Sequence, residues 1–194
     1  MIRFLIITSF VLLSGMAKAD NLLSFEDKEV VYFFSLDCPS CYEKEVYLSA
    51  WEKISNQKII RVPFVQGEQH RGAALLYFVL EESKDNSPLS DFKRKKAAYA
   101  LASYDGTNFT FEGMFKLLKD KGMVFTTVEF IDWWKSALIM VEQSELVSTK
   151  ALNENPNGIL STLRVSQGSD SLPVFIEASD AKFMIKALNS EVVR

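Results

Sequence analysis

Side chains suited to chemistry are scarce in this chain. Its 194 residues include two cysteines, Cys38 and Cys41, and one histidine, His70. A zinc site needs three or four ligands, and a single histidine in a helical stretch does not complete one with a cysteine pair. The same scarcity leaves a Ser-His-Asp set with no choice of base. Positive charge gathers in one place only, "FKRKKAA" at Phe92 to Ala98. That segment reads as one wet helix face, so nothing points to a nucleic-acid partner. Beyond the N-terminal segment no apolar run is long enough to span a bilayer. One cysteine pair is not a disulfide scaffold either: residues this close in sequence enclose a tiny loop, which removes little entropy from the unfolded chain.

The N-terminal segment is a leader. Met1 to Arg3 opens it with a positive charge, Phe4 to Leu13 is largely apolar, and Ala17-Lys18-Ala19 has the small-x-small pattern of a cleavage site. Cleavage is expected between Ala19 and Asp20, so residues 1–19 are assigned as a signal peptide. The apolar run is about ten residues, against roughly 20 for a spanning helix, which disfavours an uncleaved anchor. With Arg3 and Lys18 gone, the formal charge moves from −3 to −5. The product is expected to be exported and soluble, in a place where thiols oxidise.

The mature chain begins with a βαβ pattern. "VVYFFS" at Val30 to Ser35 is β-branched and aromatic almost throughout, which predicts a strand covered on both faces. A helix is predicted from Cys38 to Asn56, with Val46, Tyr47, Ala50, Trp51 and Ile54 as its apolar face. "KIIRVPFV" at Lys58 to Val65 is the second strand. Helices are then predicted over His70 to Lys84, Ser90 to Ser103, Phe111 to Lys121 and Thr127 to about Asn153. Thr126 or Thr127 caps the last of these, with Glu129 close behind. Trp133, Trp134, Ile131, Leu138 and Val141 read as core or an apolar seam. "NENPNG" at Asn153 to Gly158 is a turn. "LPVFIEA" at Leu172 to Ala178 and "KFMIKAL" at Lys182 to Leu188 are predicted as two strands of a hairpin.

The cysteines stand where the first strand meets the first helix. Residues three apart on a helix share a face, so the two sulfurs can bond. Free N–H groups and the helix dipole at the first turn favour a thiolate at Cys38. Pro39 fits that turn, where its missing N–H costs nothing. Cys38 is then the exposed attacker and Cys41 the more buried partner that resolves the mixed disulfide. Half of a zinc site and a structural disulfide are the alternatives. Spacing, preceding strand, following helix and export together favour thiol–disulfide exchange, which calls for no cofactor. In that reading Leu172–Pro173 is a cis bond facing the cysteines, and Leu172 offers its backbone to an extended substrate. The alternative is an ordinary trans proline at a strand edge.

On "FFSLDCPSC" at Phe33 to Cys41, preceded by "VVY", and on "LPVF" at Leu172 to Phe175, the chain resembles the DsbA-like thiol–disulfide oxidoreductases of the bacterial periplasm. The resemblance implies an α/β, thioredoxin-like fold with an inserted all-helical domain. The fold's first part would be residues 20–66, the helical insertion 67–155 and the second part 156–194. The chain departs from that family in three ways. Ser40 stands where the family usually has a thiolate-stabilising histidine between the cysteines, and Asp37 adds a negative charge before Cys38. Both make a weaker oxidant. Tyr32 stands where the family has a buried acid that moves protons for the inner cysteine, leaving that task to water or to Asp37. Only "NSEVVR" follows Leu188, too little for the family's closing helix.

The resemblance implies a periplasmic enzyme with reduced exported proteins as substrates and a quinone-linked membrane protein of the DsbB type for re-oxidation. A monomer is expected, because Cys38 comes too early in the mature chain for the dimerisation domain of an isomerase. A periplasmic reductase or isomerase is the alternative within the same chemistry. A redox-inactive binding or chaperone module for an envelope protein is the alternative outside it.

Overall fold

The computed structural model describes residues 30–83, 110–167, 172–177 and 180–192. The expected signal peptide and the helix expected over Ser90 to Ser103 lie outside these residues. In chain order the elements are β1 (Val30–Phe34), α1 (Pro39–Ser55), β2 (Ile59–Pro63), α2 (Glu68–Glu82), α3 (Phe111–Asp120), α4 (Thr127–Glu154), β3 (Thr162–Val165), β4 (Val174–Ile176) and α5 (Ala181–Val192).

The strands form one mixed sheet in the order β2-β1-β3-β4. β1 pairs parallel with β2 and antiparallel with β3, and β3 pairs antiparallel with β4. All five residues of β1 are buried, because its side chains alternate between two cores. Val30, Tyr32 and Phe34 join Leu48 and Trp51 of α1, the apolar run of α2, and Met184 and Leu188 of α5. Val31 and Phe33 point the other way, to Val62, Phe64, Ile159 and the Val147 and Ala151 turns of α4. Layers on both faces explain why this strand reads as a continuous apolar run. Burying each large side chain contributes about 1.5–3 kcal/mol.

Between β2 and β3 every described element is a helix. α3 and the first half of α4 meet through an aromatic cluster. Phe130 is fully buried, with its ring centroid 5.0 Å from that of Phe111 and 5.2 Å from that of Phe115. Thr126 caps α4 as expected: its hydroxyl accepts from the Glu129 N–H, and the Glu129 carboxylate accepts from the Thr126 N–H. Of the expected seam, Trp133 and Val141 are buried, Ile131 and Trp134 half-buried, and Leu138 exposed.

Three expectations need correction. The segment Lys182 to Leu188 is not a strand but lies in the helix α5. Ala181, Met184 and Leu188 face inward at helical spacing, and Asp180 Oδ1 accepts the N–H groups of Lys182 and Phe183 at its start. The hairpin is instead β3 with β4, and the closing helix expected to be missing is α5. β3 went unrecognised because Arg164 interrupts its apolar pattern; the side chain is buried and its Nε donates to Glu154 Oε2 at 2.8 Å.

The second correction concerns α1. Its buried residues are Cys41, Lys44, Glu45, Leu48 and Trp51. Val46, Tyr47, Ala50 and Ile54 are exposed, Ile54 by 86%. The helix turns two charged residues inward because each finds partners there, described below. Thirdly, no peptide bond among the described residues is cis, so Leu172–Pro173 is trans. Leu172 is 89% exposed, and no tertiary packing over its side chain opposes the ordinary trans preference.

Candidate active site

The turn after β1 delivers Cys38 to the N-cap of α1. Ser35 C=O accepts the Cys38 N–H at 3.2 Å, and Pro39 occupies the first helical turn. Cys38 and Cys41 form a disulfide, with Cα atoms 5.3 Å apart. Cys38 Sγ accepts the Cys41 N–H at 3.3 Å, so the sulfur itself caps the helix. Ser40 Oγ lies 3.3 Å from the same sulfur. A thiolate at Cys38 would therefore meet a backbone N–H and a hydroxyl at the positive end of a helix.

The two cysteines differ in access. Cys38 is half-buried, and its neighbours Asp37, Pro39 and Ser40 are exposed. Cys41 is 0% exposed. An incoming thiolate can reach Cys38 and not Cys41. Asp37 is held by the Ser35 hydroxyl, which donates to its Oδ1.

Beneath Cys41 lies a polar cluster. The Tyr32 phenol donates to the Cys41 C=O at 3.2 Å. Burial pushes the Tyr32 phenol well above its usual range, with a hydrogen bond from the Ser161 side chain working against the rise. Tyr32 is thus a fixed donor at neutral pH. Lys44, one turn beyond Cys41, donates from Nζ to Ser161 Oγ at 2.7 Å and to Ser161 C=O at 3.1 Å. Ser161 is set for this by a left-handed backbone, φ +65°, just before β3. Burial lowers the affinity of Lys44 for its proton below the ordinary lysine range. On the same helix Glu45 receives Arg61 Nε of β2 at 2.8 Å, and Arg61 Nη2 reaches Glu52 at 2.7 Å.

Sequence reasoning missed Lys44, Glu45, Arg61 and Ser161. Lys44 and Glu45 lie three and four residues after Cys41, the spacing that shares its buried face, and that signal was available. Ser161 carried none. Leu172 and Pro173 sit just before β4, an edge strand of the sheet among the described residues. Among the described residues no hydrogen bond joins either of them to the cysteines.

No family model matches the chain, and no curated protein matches it. Solved structures do. The oxidoreductase DsbA of Xylella fastidiosa superposes with a TM-score of 0.63 at 18% identity, over 88% of this chain and 87% of that one. This is the DsbA fold. DsbA of Pseudomonas aeruginosa gives 0.64 at 19% identity, over 86% and 83%. The oxidoreductase NmDsbA1 of N. meningitidis gives 0.61 at 14%, over 88% and 86%. The chain thus has a thioredoxin-like fold with a helical insertion, and its own disulfide lies at the start of α1.

Proposed function

We propose that the protein is a periplasmic thiol–disulfide oxidoreductase that donates its disulfide to exported proteins. The disulfide between a reachable Cys38 at a helix N-cap and a buried Cys41 carries this reading. A substrate thiolate attacks Cys38 Sγ, the Cys38–Cys41 bond breaks, and a mixed disulfide forms. A second substrate thiolate attacks the substrate sulfur of that bond, the substrate leaves oxidised, and the enzyme holds two reduced cysteines. Pro39 and Ser40 shape the turn around the attacked sulfur. Leu172 and Pro173 offer an extended substrate the backbone beside an edge strand. The chain acts as a monomer, is exported by the leader ending at Ala19, and is re-oxidised by a quinone-linked membrane partner of the DsbB type.

A second reading has one observation in its favour. Ser40 supplies a hydroxyl and no charge beside Cys38, so the thiolate is stabilised less than by an imidazolium, and electron flow toward substrates becomes easier. The reduction potential, from equilibration with glutathione buffers, decides between the two. A value of about −180 mV or higher supports donation, and about −250 mV or lower assigns a reductase. Failure of the pair to exchange with glutathione at all would refute both and leave a binding role. That role predicts that Cys38→Ala keeps full function in a strain lacking the protein.

A further inference from the structure

We infer that Lys44 is the group that exchanges a proton with Cys41, with Ser161 and Tyr32 as its positioning residues. This rests on the exchange chemistry proposed above and names the proton route within it. Lys44 is 6% exposed, and among the described residues no carboxylate pairs with it. Its contacts are the carbonyl and hydroxyl of Ser161. A buried ammonium bonded only to neutral oxygens is costly, and a partner that becomes negative during turnover relieves the cost. Cys41 is that partner by position: it is one turn earlier, on the same buried face, with Tyr32 fixed to its carbonyl and to Ser161.

Lys44 also borders open space. It lines a cavity of about 300 Å³ with Ser40, Tyr47 and Asp180, and a second of about 410 Å³ with Ser161, Gly158 and Glu177. Its burial already weakens its hold on a proton. The other charged residues lining these cavities are Glu43, Asp180 and Lys182 in the first and Glu177 in the second. The Glu45–Arg61 pair on the inner side of α1 is satisfied within itself and with Glu52.

The step balances. As the substrate sulfur bonds to Cys38, the electron pair of the broken S–S bond leaves on Cys41 Sγ. The Lys44 ammonium stabilises that thiolate and gives it a proton, and water in the cavity reprotonates the amine. In re-oxidation the neutral amine takes the proton from the Cys41 thiol before it attacks.

The test is the ionisation of Cys41, read by the ¹³Cβ shift of labelled cysteine in Cys38→Ser protein whose circular dichroism confirms folding. Lys44→Met should weaken Cys41 as an acid by about threefold or more, as loss of a nearby cation in a buried setting implies. Lys44→Arg should restore the acidity while slowing the release of Cys41 above neutral pH, because a guanidinium does not give up its proton. A change under threefold in Lys44→Met overturns the inference. If that variant does not fold, Ser161→Ala takes its place: a shift of threefold or more supports the route and no shift refutes it. Titration needs no turnover, so this result stands apart from glutathione cycling of the wild-type chain, whose failure would sink the exchange reading instead.

Discussion

Arg61 offers the sharpest test of how α1 is held to the sheet. Its Nε donates to both oxygens of Glu45 at 2.8 and 3.0 Å, Nη1 and Nη2 reach the Glu52 carboxylate at 3.0 and 2.7 Å, and Nη1 also reaches Ile59 C=O at 2.9 Å. The Glu45 side chain is only 7% exposed. Arg61→Met fills the space but takes from the buried Glu45 carboxylate both of its hydrogen bonds to the guanidinium Nε. Stranding one partner of a buried pair costs about 3–5 kcal/mol. A domain of this kind is stable by about 5–15 kcal/mol, so the variant should remain folded but weakened. With a urea slope of about 2 kcal/mol per molar, its midpoint should fall by roughly 1.5–2.5 M. Replacing both groups, Arg61→Met with Glu45→Met, should recover most of that loss, since no charge is then left without water or partner. Equilibrium urea unfolding of the oxidised protein at neutral pH, followed by fluorescence, measures both. If the single variant loses under 1 kcal/mol, or the double variant is worse than the single, the pair does not hold the helix as argued.

Three further outcomes can be checked. Phe130→Ala empties the centre of the aromatic cluster and should cost about 3–5 kcal/mol in the same assay, with the disulfide still formed. Lys44 binds its proton less tightly folded than unfolded, so the unfolded chain holds more protons between its lowered value and about pH 10.4. Wild-type stability should therefore gain with rising pH in that window relative to Lys44→Met, and parallel pH curves for the two would contradict this. Ser40→His should raise the reduction potential by placing a charge-bearing ring beside Cys38, and an unchanged potential in glutathione buffers would show that Ser40 does not govern the thiolate.

The parts of the fold that could be read from sequence are those where one pattern dominates. β1 is apolar on both faces because both faces are covered, and the cysteine spacing at the strand–helix junction has one natural geometry. α4 announces its start through Thr126 and Glu129. α1 misled because its inward face carries Lys44 and Glu45, whose partners Ser161 and Arg61 lie elsewhere in the chain. An apolar count along a single helix favours Val46, Tyr47 and Ile54, and only tertiary contacts reverse it. α5 misled for a different reason. In "KFMIKAL" the apolar residues satisfy a two-residue and a near-four-residue repeat about equally, and the Asp180 cap lies outside the segment. Arg164 hid β3 in the same way that Lys44 hid the true face of α1.

The sulfur of Cys38 both opens a helix and trades electrons. Once it bonds to a foreign chain, its geometry as an acceptor for the Cys41 N–H changes, and as a free anion it accepts more strongly than as half of a disulfide. Firmness of the opening turn and appetite for electrons are then two readings of one thermodynamic cycle. Any substitution that tightens the turn around a charged sulfur makes the protein a keener electron acceptor by the same amount.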